Sequence, residues 1–261
     1  MPHPIALPVP IALPFFAFLA GLVDAVGGGG GLIQLPALLL LLPASLPVTG
    51  VLGTNKAVSI AGTGVAACRY AGRVSLRGQS LPLTTLAAFL CSLAGARAVT
   101  VLRPDALRPL ILLLLVGAFV YTLARKDFGG FHAPRLLGTR QAWAGATLGA
   151  TLGFYDGFFG PGTGSLLIFA FVGVFGFSFL SASASAKVVN FATNLSAVLF
   201  FAWTRHVLWA VALPMAACNV LGALAGTHLA VTRGSRFIRA LFLCIVSALI
   251  ARLGYDLWKR P

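Results

Sequence analysis

Between Leu81 and Val101 the chain runs apolar as far as Arg97 and carries no acid, and runs of this kind recur along its whole length. About 20 helical residues are what a hydrocarbon core demands, because inside it every backbone N–H and C=O must be satisfied within the segment. Such runs lie near Ile5–Leu42, Val48–Cys68, Leu81–Val101, Leu107–Leu123, Trp143–Phe177, Ala182–Thr204, Val207–Ala230 and Phe237–Leu257. The expected fold is an all-α polytopic membrane protein with about eight hydrophobic helical segments. Only 9% of the residues are charged, where a soluble domain carries roughly a quarter.

The charges that remain are lopsided: nineteen Lys plus Arg against five acids, namely Asp24, Asp105, Asp127, Asp156 and Asp256, for a net charge of +14. A nucleic-acid partner is rejected, since the basic residues sit between apolar runs instead of forming one stripe; loops facing an anionic lipid leaflet explain them. The first basic residue is Lys56, so the N-terminal run lacks the basic region of a secretory leader and is expected to remain as structure. Cys68, Cys91, Cys218 and Cys244 are widely spaced and form no CxxC pair. No disulfide framework, metal site or cofactor is expected.

The two halves of the chain resemble each other. Gly21-Leu-Val-Asp24 before Gly28-Gly29-Gly30 matches Gly153-Phe-Tyr-Asp156 before Gly160-Pro161-Gly162, an offset of 156 − 24 = 132. Lys56 matches Lys187 (187 − 56 = 131), Leu81-Pro82 matches Leu213-Pro214, and Arg108 matches Arg239. Several rare residues in one order argue for duplication more strongly than matched leucines do. The division expected is a first transmembrane repeat over 1–124, a cytoplasmic linker over 125–141 containing the polar stretch Arg125–Arg140, and a second repeat over 142–261. If every segment crosses once, the halves are parallel; if the first segment of each is a re-entrant hairpin, they are inverted. The basic residues divide with a similar bias either way, and in both arrangements Arg69 to Arg77 and the linker face the cytoplasm.

Chemistry concentrates at the glycine runs. Gly27 to Gly31 in the first half, and Gly157, Gly160, Pro161, Gly162, Thr163, Gly164 and Ser165 in the second, should break their helices, at about 1 kcal/mol per glycine and about 3 for proline in a helix interior. A break at membrane depth must line a cavity, and the N–H groups opening the next half-helix favour an anion. The competing role for the glycines is close helix packing. Asp24 and Asp156 precede the breaks and are either proton carriers or N-caps of the half-helices.

Thr54-Asn55-Lys56 and Ser185-Ala186-Lys187 form the second constellation. Asn190 and Asn194 stand at i+3 and i+7 from Lys187, on one helical face where all three can converge on a ligand. The alternative is interhelical hydrogen bonding with a lysine that snorkels to the interface. The candidate substrate-binding residues are thus Gly28, Gly29, Gly30, Gly31, Asn55, Lys56, Gly160, Gly162, Thr163, Gly164, Ser165, Lys187, Asn190 and Asn194. Asp24 and Asp156 are the proton-coupling candidates. Gln34 is a weaker candidate for lining the first cavity, Arg97 and His228 read as boundary anchors, and Arg205 with His206 marks a loop.

At GLVDAVGGGGGLIQLP, LGTNK with RYAGRV, GFYDGFFGPGTGS, SASASAKVVNFATNLSA and FFAWTRHV, the chain resembles the TauE/SafE family of sulfite exporters and organosulfur anion permeases. The resemblance covers nearly the whole chain. It implies a carrier in a bacterial inner membrane, moving small anions such as sulfite, sulfonates or related sulfur compounds, with a proton as candidate coupling ion. The partners are then a small anionic substrate and the lipid bilayer, with a homodimer left open. A passive anion channel shares every cavity feature, although Phe154, Tyr155, Phe158 and Phe159 beside the second break favour a gated path. An intramembrane enzyme would need Ser165 paired with His228, and no enzyme is expected.

Overall fold

A computed structural model describes residues 9–72, 81–124, 136 and 138–232, together with residues 247, 250, 251 and 255. The described residues form nine helices and no strand: α1 (Val9–Gly27), α2 (Gly31–Leu41), α3 (Val48–Ala71), α4 (Leu81–Val101), α5 (Pro104–Ala124), α6 (Gly138–Phe158), α7 (Thr163–Gly173), α8 (Phe179–Trp203) and α9 (Trp209–Thr232). The segment expected near Phe237–Leu257 lies almost wholly outside the described residues, as does most of the linker. Residues 138–141, placed at the end of that linker, begin α6 instead. The all-helical membrane architecture stands: α4, α8 and the Trp209–Leu229 part of α9 are each long and apolar enough to cross a membrane. Trp203 and Trp209, both exposed, flank the turn between α8 and α9, where amphipathic rings mark a membrane boundary.

Both expected breaks are present, and each turns the chain back on itself. Gly28 closes α1 with φ 74°, a conformation open to glycine at no steric cost. Gly30 then packs against the Ala20 carbonyl and Asp24 Cβ. Asn219 Nδ2 donates to Ala17 O (3.0 Å) and to Gln34 Oε1 (3.2 Å), so Ala17 on α1 and Gln34 on α2 lie level. The second break uses Gly160 (φ 97°) and Gly162 (φ 84°), and Leu148 and Leu152 of α6 share one apolar cluster with Leu167, Ile168 and Phe171 of α7. With 11 residues each, α2 and α7 are about 16 Å long, half of a hydrocarbon core of about 30 Å. Each break therefore makes a hairpin whose second arm is too short to cross.

The helices equivalent by offset, α3 and α8, run antiparallel. Thr54, near the start of α3, accepts from Leu208 N just beyond α8 (3.0 Å), while Gly64, further along α3, meets Phe191 in the middle of α8. Antiparallel equivalents are what the inverted arrangement requires, and halves related by a parallel repeat would not give them.

The two halves are interwoven. Gly149, Gly153 and Gly157 on α6 each face backbone of α4, at Thr84, Ala88 and Ser92, and Gly222 and Gly226 on α9 face backbone of α1, at Phe18 and Leu22. A methyl group at any of these five glycines would overlap the opposing backbone, so small residues set the helix separation. Shifting the numbering by about 131 turns the α1–α9 contact into the α6–α4 contact, and α3–α9 into α8–α4. In each case a helix of one half packs on the hairpin or central helix of the other. Arg69 Nη1 to Thr227 Oγ1 (3.1 Å) and Ser92 Oγ to Thr193 O (2.8 Å) tie those pairs laterally.

Candidate functional site

The hairpin tips meet each other. Ser165 N donates to Gly28 O (3.2 Å), and the Ser165 hydroxyl donates to Gly27 O. Gly28 and Gly164 lie so close that neither has room for a side chain, and Gly31 abuts Pro161. The glycines therefore serve both expected roles, breaking the helices and allowing backbones to touch.

Around the junction stand two ion pairs, each joining one half to the other. Lys56 Nζ on α3 lies 2.8 Å from Asp156 Oδ2 at the end of α6, and Lys187 Nζ on α8 lies 2.7 Å from Asp24 Oδ2 at the end of α1. Lys187 also donates to the Asp24 main-chain carbonyl. The Lys56–Asp156 approach is a charge contact whose angles fall short of a hydrogen bond. Three of the four side chains are at most 3% exposed, and Asp24 is 16% exposed. Isolated charges at this depth would be costly, and each of the four faces an opposite charge.

These contacts remove two of the roles left open by the sequence. Neither aspartate caps a half-helix: Gly30 and Gly162 occupy the N-cap positions of α2 and α7 with no side-chain cap. The capping alternative fails because both carboxylates are drawn to lysines of the opposite half. Lys187 does not snorkel either; it is 1% exposed and ends on Asp24.

Asp24, Gly28, Gly31, Asn55, Lys56, Asp156, Gly160, Gly162, Gly164, Asn190 and Asn194 line one cavity of about 20 Å³, room for about one water-sized group. Of the remaining candidates, Gly29 and Gly30 form the first turn behind that lining. Thr163 donates to Gly160 O (2.7 Å), and Ser165 is held by Gly27. Lys187 reaches the same place through Asp24. Asn194 Nδ2 donates to Asn190 Oδ1 (3.3 Å), leaving the Asn190 amide N–H groups to the cavity. Gly160 is needed twice, for its φ and because a Cβ there would come within 2.6 Å of Lys56 Nζ.

Two lining residues, Ser59 and Thr63, were missed. Their signal was available: they stand at i+3 and i+7 from Lys56, as Asn190 and Asn194 do from Lys187. Thr63 Oγ1 donates to Asp24 Oδ2 (3.3 Å). Gln34 is fully buried behind the cavity wall, its Nε2 donating to Asn55 O (2.9 Å) and Asn55 Oδ1 (2.8 Å). Arg97 and His228 are exposed, and Arg205 with His206 lies in the α8–α9 turn. Of the four aromatic residues beside the second break, Phe159 is buried and Tyr155 donates to Pro161 O (2.9 Å), whereas Phe154 is exposed and stacks on Phe158.

The family model described as sulfite exporter TauE/SafE matches residues 13–253. A probable membrane transporter protein ORF9 of Sinorhizobium is 36% identical over 242 residues, covering 92% of this chain and 90% of its own. The probable membrane transporter protein YfcA of Escherichia coli is 34% identical over 245 residues, 93% of this chain and 88% of its own. A probable membrane transporter protein of Haemophilus influenzae is 32% identical over 239 residues, 92% of each. No solved structure matches.

Proposed function

The chain belongs to the sulfite exporter TauE/SafE family of membrane transporters, and from that premise we propose that it is a secondary carrier of small anions in a bacterial cytoplasmic membrane. The cargo class is sulfite, a sulfonate or a related sulfur oxyanion, and the coupling ion is a proton. The observation that carries this reading is the pair of cross-half Lys–Asp contacts around one cavity between two hairpin tips.

The charges at the site sum to zero: two lysines face two aspartates. An anion entering this cavity finds no unshared positive charge until a carboxylate gives one up, and protonating an aspartate does that. Binding the anion and taking up a proton then become one event, which is the condition for coupled transport. The cavity of about 20 Å³ is smaller than a sulfur oxyanion, so the tips must part as the anion enters. Alternation between the two sides follows from rocking one hairpin and its packed partner helix against the other.

The test is thermal stability of the purified protein in detergent against sulfite, sulfate, thiosulfate, sulfonates, carboxylates and chloride. A ligand that binds only the folded state at about 100 times its Kd adds about 2.7 kcal/mol. Stabilisation confined to sulfur oxyanions or sulfonates, and lost in Lys187→Ala, supports the reading. Stabilisation by no anion refutes it.

A further inference from the structure

The two ion pairs are equivalent by offset but not by environment. Asp24 retains 16% of its side-chain surface, while Asp156, Lys56 and Lys187 retain 2%, 3% and 1%. The carboxylate at Asp24 has a second partner in Thr63, and a hydroxyl can accept as readily as it donates. A protonated Asp24 would therefore keep a hydrogen bond. Asp156 Oδ2 has no hydrogen-bond partner, and Lys56 is its charge contact.

The lysines differ in the same direction. Lys187 donates to the Asp24 main-chain carbonyl as well as to the carboxylate, so it is not orphaned when the carboxylate is neutralised. Lys56 sits in the space that a side chain at Gly160 would fill, and among the described residues its ion-pair partner is Asp156 alone. The residues that follow the two lysines along their helices differ as well. Beside Lys187, α8 lines the cavity with the amides Asn190 and Asn194, whereas the matching positions beside Lys56 carry hydroxyls: Ser59, which accepts from Gln34 Nε2 (3.4 Å), and Thr63, which donates to Asp24.

Resting on the carrier reading above, we propose that Asp24 is the residue that takes the coupled proton and so releases Lys187 to the anion beside Asn190 and Asn194, while Lys56–Asp156 stays closed as a brace. The step balances. One proton adds to the Asp24 carboxylate, and the Lys187 ammonium keeps its proton and exchanges a carboxylate oxygen for an anion oxygen. For a monoanion the charge of the site is unchanged. Thr63 is a positioning residue, holding the acid in place in both states.

Other titratable groups around Asp24 are few. Across the cavity stand Lys56 from α3 and Asp156 from α6. Tyr70 of α3 donates to the Ala25 carbonyl (2.9 Å), and α9, packed along α1, carries Cys218 and the exposed His228. From α2 and α7 the cavity receives only Gly31 and Gly164.

The experiment uses a sulfonate, which stays ionised across the working pH range, with the full chain in proteoliposomes and in detergent. In the wild type, sulfonate binding should take up one proton per anion, read with a pH indicator, and stabilisation by the sulfonate should weaken as pH rises. Asp24→Asn, a neutral stand-in for the protonated acid, should retain sulfonate exchange without a gradient and lose both proton uptake and the pH dependence. Asp156→Asn should lower the melting temperature, with proton uptake persisting in the folded fraction. Sulfonate binding by the wild type without proton uptake overturns the proposal, and needs no variant to fold. So does coupled proton movement in Asp24→Asn, or its loss in Asp156→Asn alone. Failure of every anion to bind the wild type is a different result, and it removes the carrier reading itself.

Discussion

The hairpin α1–α2 and the hairpin α6–α7 share a turn, a terminal aspartate and a lysine partner across the molecule, yet they are held by different forces. The first is pinned by amides: Gln34 bonds Asn55, and Asn219 bonds both Gln34 and Ala17. The second rests on rings, with Phe171 stacked on Phe177 at 5.8 Å and Phe175 tilted against both. Gln34 corresponds to Leu166 (34 + 132) and Asn219 to Ala88 (219 − 131), so the polar lock has no counterpart. The two copies share what the backbone and the charges need, and differ in how each hairpin is packed. Amides fix distance and angle, whereas rings allow sliding.

The largest effects should come from breaking the ion pairs singly. Lys56→Ala leaves Asp156 buried and alone and should cost about 3–5 kcal/mol; Lys187→Ala should cost less, because Asp24 is partly exposed and keeps Thr63. Unfolding in a mixed-detergent titration reads both, and equal losses would mean that the pairs are equivalent after all. Replacing both members of the buried pair, Lys56→Met with Asp156→Leu, should recover most of the stability. Gln34→Leu makes the first hairpin resemble the second, but strands the Asn55 side-chain oxygen and leaves Asn219 with Ala17 O as its acceptor, at about 1–3 kcal/mol. A neutral result in the same titration would show that the amide lock is dispensable. Gly160→Ala forces a left-handed φ on alanine, about 1–2 kcal/mol, and pushes on Lys56; it should exceed Gly31→Ala, whose φ is ordinary and whose added carbon meets Pro161 at 3.0 Å. Thr63→Val should be the mildest, about 0.6 kcal/mol as for an average hydrogen bond inside a membrane protein, with its mark instead on the pH dependence of transport.

Much of this was legible in the sequence because membrane solvent leaves few options. The bounds of α4 agree with its apolar run, and both breaks fall at the glycines that demand them. The aspartates and lysines stood out because charge is rare in apolar segments. Their pairing did not: sequence spacing ties Asp24 to its own glycine turn, and only the packing of both α1 and α8 on α3 brings it to Lys187. That pairing also removed the capping role, since a carboxylate drawn to an ammonium is not free to turn toward backbone N–H groups. The direction of the halves was hidden for a similar reason, because charge counting sees loops while the antiparallel course of α3 and α8 is written in contacts such as Thr54 with Leu208. Ser59 and Thr63 were readable from the helical spacing alone, had Lys56 been treated as Lys187 was.

The crossing of the pairs between halves also sets a schedule for synthesis. Asp24 and Lys187 are separated by 163 residues, and at about 5–20 residues per second a ribosome needs roughly 8–33 s to deliver the second after the first. For that interval the carboxylate of α1 lacks the lysine it pairs with in the finished fold. Lys56 waits a shorter time, 156 − 56 = 100 residues, for Asp156. The first hairpin cannot settle in lipid as a finished unit when it leaves the ribosome. It must be sheltered until α8 arrives, and truncation before Lys187 should leave a product that membrane quality control removes.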